Sequence, residues 1–175
     1  MQEYPMSKMT TGRDAGLAPG ARRNMQDHTG FAAIAQGACI MTLDGALPVE
    51  YLNPGDRIVT RSGAVRLQAV HAQMAQGPMI RVAPSSLGHD RPGHALLLTP
   101  DTPVLVRDWR AKVMFGAPQA MVAVSRLVDG DYVTRVSGEG LRSYTLEFDT
   151  AQVIYVDGVE VGCPAVMAEA AAAVA

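Results

Sequence analysis

The sequence predicts an all-β domain, and two observations carry that prediction. From Phe31 to Cys163, short apolar runs alternate with Gly, Pro, Asn, Asp and Ser at roughly 8–12-residue intervals, the spacing typical of sandwiches and barrels. In addition, VEYLNPGDRIVT at residues 49–60 and VSRLVDGDYVTR at residues 124–135 place Val, Leu, Gly and Asp in the same register. Each phrase predicts a strand end, a tight turn at Gly-Asp and a new strand. The repeat is a hint of internal duplication.

The individual strands follow from these apolar runs and from the turns between them. Asn53-Pro54-Gly55 fits a type II turn, because Pro presets φ at the second position and Gly accepts a positive φ at the third. Leu43-Asp44-Gly45 turns the first buried strand into the segment LPVEYL, and Ser62-Gly63 joins the two strands of a hairpin. The predicted strands span residues 38–42, 57–60, 64–71, 79–82, 95–99, 104–107, 132–136, 144–148 and 153–156.

The chain divides into three segments. Residues 1–30 show neither the helical nor the strand period of apolar residues, and we predict that they form a disordered N-terminal lead. Residues 31–163 form the β domain, whose length suits one hydrophobic core. Residues 164–175 begin with a first-turn proline and continue into alanines, which predicts a short C-terminal helix that docks or frays.

Composition limits the partners. The net charge is −2 and the Lys and Arg residues form no stripe, so we expect neither a nucleic acid partner nor a membrane partner. No apolar run is long enough to span a bilayer, and the N-terminus lacks the apolar core of a signal peptide. We therefore expect a cytoplasmic protein, or one secreted by a route that is independent of a signal peptide.

Motif searching finds no metal or cofactor site. None of the four histidines has a cysteine or carboxylate at ligand spacing, and no phosphate-binding glycine loop or nucleophile elbow occurs. We expect His89 and His94 to be solvated loop residues and Cys39 to be a packed strand residue. Turn or strand-end roles are expected for four aspartates, Asp101, Asp108, Asp149 and Asp157.

The run GACIMTLDGALPVEYLNPGDRIVTRSG at residues 37–63 resembles the opening of Hint domains, the Hedgehog/intein autoprocessing family, and in particular its bacterial stand-alone branch. Residues 87–106, 125–133 and 144–161 resemble later blocks of the same family, so the resemblance covers residues 31–163. It implies a horseshoe of two β subdomains related by a pseudo-twofold axis. Such an architecture accounts for the twice-written Gly-Asp phrase.

The family's chemistry needs several side chains at one point. A cysteine at the start of the domain attacks the carbonyl that precedes it and converts an amide into a thioester. A Thr-x-x-His pair polarises the scissile amide and stabilises the tetrahedral oxyanion, and residues of the closing block assist the transfer. Inteins add a terminal His-Asn pair for the last cleavage.

When the family's motifs are aligned with this sequence, most of the reactive positions are occupied by residues without a nucleophilic or acid/base group. Ala33 occupies the nucleophile position, Thr99 matches the threonine, and Thr102 stands at the histidine position. The closing-block histidine falls at Ala151, or at Gln152 if the alignment shifts by one residue. Gly162-Cys163 stands where an intein ends in His-Asn. The resemblance therefore implies a catalytically degenerate module that serves a binding or scaffolding role with an unknown protein partner.

Two alternatives remain open from the sequence. Cys163 could support residual self-processing or thiol chemistry, because both ends of the domain converge at the active centre in this family. Cys39 is a poor substitute nucleophile, since six residues of strand past Ala33 would span about 20 Å. The third reading is an unrelated all-β interaction domain that merely shares Gly-Asp turns.

Overall fold

The computed structural model describes residues 32–165. The predicted N-terminal lead and nearly all of the predicted C-terminal helix lie outside the described residues. Among the residues described, no helix is long and apolar enough to cross a membrane.

The described part of the chain is built from strands, with one short α-helix and two 3-10 helices. The α-helix, α1, is Trp109–Phe115, and the 3-10 helices are Val49–Tyr51 and Val124–Leu127. The strands are β1 Ala33–Ala35, β2 Cys39–Thr42, β3 Gly45–Pro48, β4 Arg57–Thr60, β5 Gly63–Arg66, β6 Ala69–Met74, β7 Met79–Val82, β8 Leu96–Leu98, β9 Pro103–Val106, β10 Ala120–Ala123, β11 Val133–Val136, β12 Arg142–Glu147, β13 Gln152–Val156 and β14 Val159–Cys163.

These strands form two antiparallel sheets. The six-stranded sheet has the order β11-β7-β8-β1-β12-β6. The eight-stranded sheet has the order β10-β9-β14-β13-β2-β4-β5, with β3 paired to β2. The all-β prediction is confirmed. One contiguous core, which includes Ile34, Ile154 and the fully buried Phe148, receives side chains from both sheets and from the segment that joins β12 to β13.

The two copies of the repeated phrase fold alike. Each begins as a 3-10 helix after a strand, β3 in the first copy and β10 in the second, and each then leads into β4 or β11. The turn glycines have positive φ, 105° at Gly55 and 88° at Gly130, which side chains with a Cβ rarely adopt. The Val49 N–H donates to the Ala38 carbonyl at 2.9 Å, and the Val124 N–H donates to the Thr102 carbonyl at 2.9 Å. This correspondence is the one expected of two related β subdomains.

One predicted strand was wrong because a buried residue interrupts it. The strand predicted over residues 64–71 is divided into β5 and β6 by Leu67 and Gln68. Leu67 is fully buried, its N–H donates to the Asp56 carbonyl, and its carbonyl accepts from the Gly55 N–H, both at 2.8 Å. Leu67 therefore closes the first Gly-Asp turn instead of continuing the ladder.

The sequence reading missed β1, β10, β14 and α1. The helix begins after Asp108, whose carboxylate accepts from the Arg110 N–H at 2.9 Å, and ends at Gly116 in the left-handed region. Both are recognised helix signals, an aspartate N-cap and a C-terminal glycine. At seven residues the helix is too short for hydrophobic periodicity to have revealed it.

Candidate functional site

Ala33 lies in β1, at the centre of the six-stranded sheet. β1 pairs with β12, where Ala33 is opposite Thr145, and with β8 on its other side. Ala33 is 1% exposed and the preceding Ala32 is equally buried. The peptide bond between residues 32 and 33, which the family resemblance places at the reaction point, is therefore enclosed by protein.

Two threonines from the loop after β8 surround the backbone of Ala33. The Ala33 N–H donates to Thr99 Oγ1 at 3.1 Å, and the Thr99 N–H donates to the Ala33 carbonyl at 3.0 Å. Thr102, which is fully buried, lies with its hydroxyl oxygen 2.7 Å from that of Thr99 and 3.3 Å from the Ala33 carbonyl oxygen. The structure thus brings Ala33 together with Thr99 and Thr102, which follow it in the chain by 66 and 69 residues.

This threonine cluster has a self-consistent arrangement of protons. The Ala33 N–H donates to Thr99 Oγ1, the Thr99 hydroxyl donates to Thr102 Oγ1, and the Thr102 hydroxyl donates to the Ala33 carbonyl. A hydroxyl can donate to an amide or an oxyanion, but it does not exchange protons as a general base near neutral pH. The methyl group of Ala33 has no nucleophilic atom. The cluster therefore holds the backbone of Ala33 and contains no group that could attack the preceding carbonyl.

Ala151 and Gln152 lie at the start of β13. Ala151 is exposed. Gln152 Oε1 accepts from the Ser62 hydroxyl at 2.7 Å, and Gln152 Nε2 donates to Thr150 Oγ1 at 2.9 Å. These hydrogen bonds connect Gln152 to the loops beside it rather than to the threonine cluster.

Cys163 ends β14 and is opposite Gln152 in the β13–β14 ladder. β14 also pairs with β9, with Val161 opposite Val104, so the end of β14 runs beside the segment that follows Thr102. The side chain is buried, and this burial raises the pKa of the Cys163 thiol to about 12. At neutral pH the thiol is protonated.

A second group of chemically active residues occupies the other end of β1, where a turn at Gln36 and Gly37 leads into β2. A cavity of about 380 Å³ is lined there by Cys39, His94 and Asp157 among others. The Cys39 N–H donates to Asp157 Oδ2 at 3.3 Å. Burial, and then the negative charges of Asp157 and Glu50, raise the pKa of the Cys39 thiol.

Burial also raises the pKa of Asp157, against the opposing effects of the Cys39 hydrogen bond and of His94. Asp157 has φ of 47° and forms a turn with Gly158, as the Asp-Gly pair indicated. Its approach to Cys39 spans 118 residues and left no local signal in the sequence. The described residues contain no group of three or more His, Cys, Asp or Glu side chains that could hold a metal ion.

Comparison with known proteins gives one family and one fold. The sequence model of the Hint domain matches residues 32–163. A solved intein-like domain from the bacterium Clostridium thermocellum superimposes with a TM-score of 0.54 at 13% identity, covering 74% of this chain and 96% of that one. A splice-inactive variant of a split intein matches over 77% of this chain and 99% of its own length at 8% identity, with a lower TM-score of 0.46. The comparison with curated proteins returned no match.

Proposed function

The chain belongs to the Hint domain family, and from this membership we propose that it is a catalytically degenerate Hint module with a binding or scaffolding role. In this proposal the β fold is retained, and the side chains that would carry out self-cleavage are replaced by inert ones. The partner is a protein.

The observation that carries the proposal is the methyl group of Ala33 beside the 32–33 peptide bond. In the family, a thiol at this position attacks the preceding carbonyl and forms a thioester. Here the Ala33 N–H, which belongs to that peptide bond, is held by Thr99 Oγ1 at 3.1 Å. A hydrogen-bond partner for the amide of that bond is in place, whereas the atom that would attack is absent.

The residue Thr102 supports the same conclusion from the acid/base side. An imidazole at this position would protonate the departing amide nitrogen, which requires a pKa near neutral. The Thr102 hydroxyl instead lies 2.7 Å from Thr99 Oγ1 and 3.3 Å from the Ala33 carbonyl, where it completes a buried network. A fully satisfied network of this kind favours a stable backbone over a reactive one.

Residual thiol chemistry through Cys163 is the competing function. The position of Cys163 near the Thr102 segment favours it, but the protonation state of the thiol does not. With a pKa raised to about 12 by burial, the Cys163 thiol is protonated at pH 7. Because the thiolate is the nucleophile, Cys163 would react very slowly.

The proposal is tested by the mass of the protein after prolonged incubation with hydroxylamine or a strong thiol. We expect the wild-type chain to stay intact at 18.5 kDa, since no thioester forms. Cys163→Ala is the matched variant, and it should behave as the wild type does. Cleavage that disappears in Cys163→Ala would replace the proposal with the residual thiol function.

A further inference from the structure

A buried carboxylate holds two arginines on the face of the eight-stranded sheet. Glu160 in β14 is 4% exposed. Its Oε2 accepts from Arg107 Nε at 2.8 Å and also from Arg107 Nη2, and its Oε1 accepts from Arg61 Nη1 at 3.2 Å. Removing a carboxylate from water is costly unless such partners compensate it.

The two guanidinium groups carry more charge than Glu160 neutralises. The side chains of Arg61 and Arg107 remain 38% and 42% exposed, so part of each faces solvent. Glu160 raises the pKa of Arg107 further, chiefly through their hydrogen bond. Each guanidinium has five N–H donors in a fixed plane, and the contacts to Glu160 leave several of them available. One net positive charge is therefore fixed in place.

A cavity of about 270 Å³ opens beside this pair. We call it the arginine cavity, and its lining includes His89, Arg91, Arg107, Asp108, Gly158 and Glu160. The Asp108 carboxylate is already engaged by Arg110, which contacts it at 3.4 Å through the side chain and at 2.9 Å through the backbone N–H. Within residues 32–165, no carboxylate forms an ion pair with the exposed Arg91. The two arginines of the lining are matched in number by Asp108 and Glu160. The positive excess comes from Arg61 and Arg110, which contact these two carboxylates without lining the cavity.

The loop that carries Arg91 is held by its own backbone hydrogen bonds. The Leu87 N–H donates to the Arg91 carbonyl at 2.8 Å, and the Arg91 N–H donates to the Gly88 carbonyl at 3.1 Å. The Gly93 N–H donates to the Asp157 carbonyl at 3.1 Å and attaches the loop to the β13–β14 turn. Preorganised cations of this kind bind an anion without the cost of ordering the loop.

We propose that the arginine cavity binds a carboxylate of an acidic peptide segment in the partner protein. Arg91 and Arg107 would supply charge-assisted hydrogen bonds to the carboxylate of the peptide, and Glu160 would hold the Arg107 guanidinium in position. A carboxylate matches the planar guanidinium fork and fits a cavity of this size. This inference rests on the proposed binding role and names the class of ligand for it.

The test is a calorimetric or NMR titration of the full-length protein at low ionic strength with an acetylated tetraglutamate peptide, and in a second arm with inorganic phosphate. We expect the peptide to bind the wild type and Arg91→Gln to weaken binding about tenfold. Arg135 is an exposed residue of β11 in the other sheet. Arg135→Gln removes the same charge there and should leave the affinity unchanged.

Three outcomes would overturn the assignment. They are an absence of binding by the folded wild type, an equal loss in Arg135→Gln and Arg91→Gln, and binding of phosphate without binding of the peptide. The hydrogen bonds and ion pairs of Glu160 are made to Arg61 and Arg107, so Arg91→Gln leaves this buried cluster intact. A failure of this titration leaves the mass experiment on self-cleavage unaffected, and cleavage of the chain would leave the anion site standing.

Discussion

Individual residues decide the chemistry of this protein. The hydroxyls of Thr99 and Thr102 converge on the backbone of Ala33 and bond to one another, whereas the position that the family resemblance assigns to the nucleophile carries a methyl group. Sequence motifs identified all three positions, because each lies within a short block that the family shares. The cavity around Cys39, His94 and Asp157 could not be identified in the same way, since these residues meet only through long-range pairing.

The two thiols should differ sharply in reactivity. Cys163 is buried, so we expect it to react with a thiol reagent only after unfolding. Cys39 is partly exposed, but burial and two carboxylates raise its pKa. The midpoint of its pH–rate profile should therefore lie above about pH 8.5, the pKa of an ordinary thiol.

Asp157→Asn removes one of these carboxylates and should increase the labelling rate of Cys39 several-fold at pH 7. Asp149→Asn, which changes a carboxylate bonded instead to Gln68, is the control. The assignment of each thiol is made with Cys39→Ala and Cys163→Ala. Labelling of Cys163 in the native state would contradict its burial.

Asp129 stabilises the second Gly-Asp turn in a pH-dependent manner. Its carboxylate accepts from the N–H groups of Val133, Asp131 and Tyr132, and these bonds, that of Val133 most, lower the pKa of Asp129. A lowered folded-state pKa stabilises the fold above the unfolded pKa, and the contribution is lost as pH falls through the folded value.

Asp129→Ala should therefore cost roughly 1 kcal/mol at pH 7, near the low end for such caps because the site is exposed. The measurement is urea unfolding of both proteins across a pH series. The difference should shrink below about pH 4. A difference that is constant with pH would show that the charge of Asp129 is unimportant.

At the scale of elements, the repeated phrase was the most informative part of the sequence. The Gly-Asp pairs predicted both turns because glycine permits the positive φ that each turn requires. The 3-10 helices that precede these turns were not predicted, since they depend on Val49 and Val124 bonding to carbonyls far along the chain. The division between β5 and β6 likewise depends on the burial of Leu67, which is a tertiary effect.

Two loops of the six-stranded sheet approach so closely that only glycine fits between them. A Cβ at Gly138, in the β11–β12 loop, would overlap the carbonyl oxygen of Gly77 in the β6–β7 loop. Because the obstacle is backbone, the loops must separate to accommodate it. We expect Gly138→Ala to reduce the free energy of unfolding by about 2–3 kcal/mol.

The same substitution on the other side of this contact, Gly77→Ala, is the control. A Cβ at Gly77 meets nothing within 4 Å, so the variant should be close to the wild type in stability. Both are measured by urea unfolding monitored by circular dichroism. Equal stability of the two variants would mean that the loops are not in contact in solution.

At the scale of the whole molecule, the sequence predicted the fold class and the duplication but not the assembly of the sheets. Strand β1 pairs with β12, more than 100 residues later in the chain, and β14 pairs with β9, more than 50 residues earlier. Such pairings follow from topology, which the local periodicity of a single sequence does not encode. The buried Glu160 with its two arginines arises from the same long-range pairing.

The most direct test of the central claim restores the missing side chains in one protein. The variant combines Ala33→Cys, Thr102→His and Ala151→His, and its mass is measured beside that of the wild type after incubation with hydroxylamine. Thr99 is left unchanged in both because it already holds the amide of the 32–33 bond. A circular dichroism spectrum identical to that of the wild type confirms that the variant is folded.

We predict that the wild type stays whole and that the folded variant is cut between residues 32 and 33, because the fold still presents that bond to a thiol and an imidazole. Cleavage of the wild-type chain at this bond, or a folded variant that remains whole, would contradict the account.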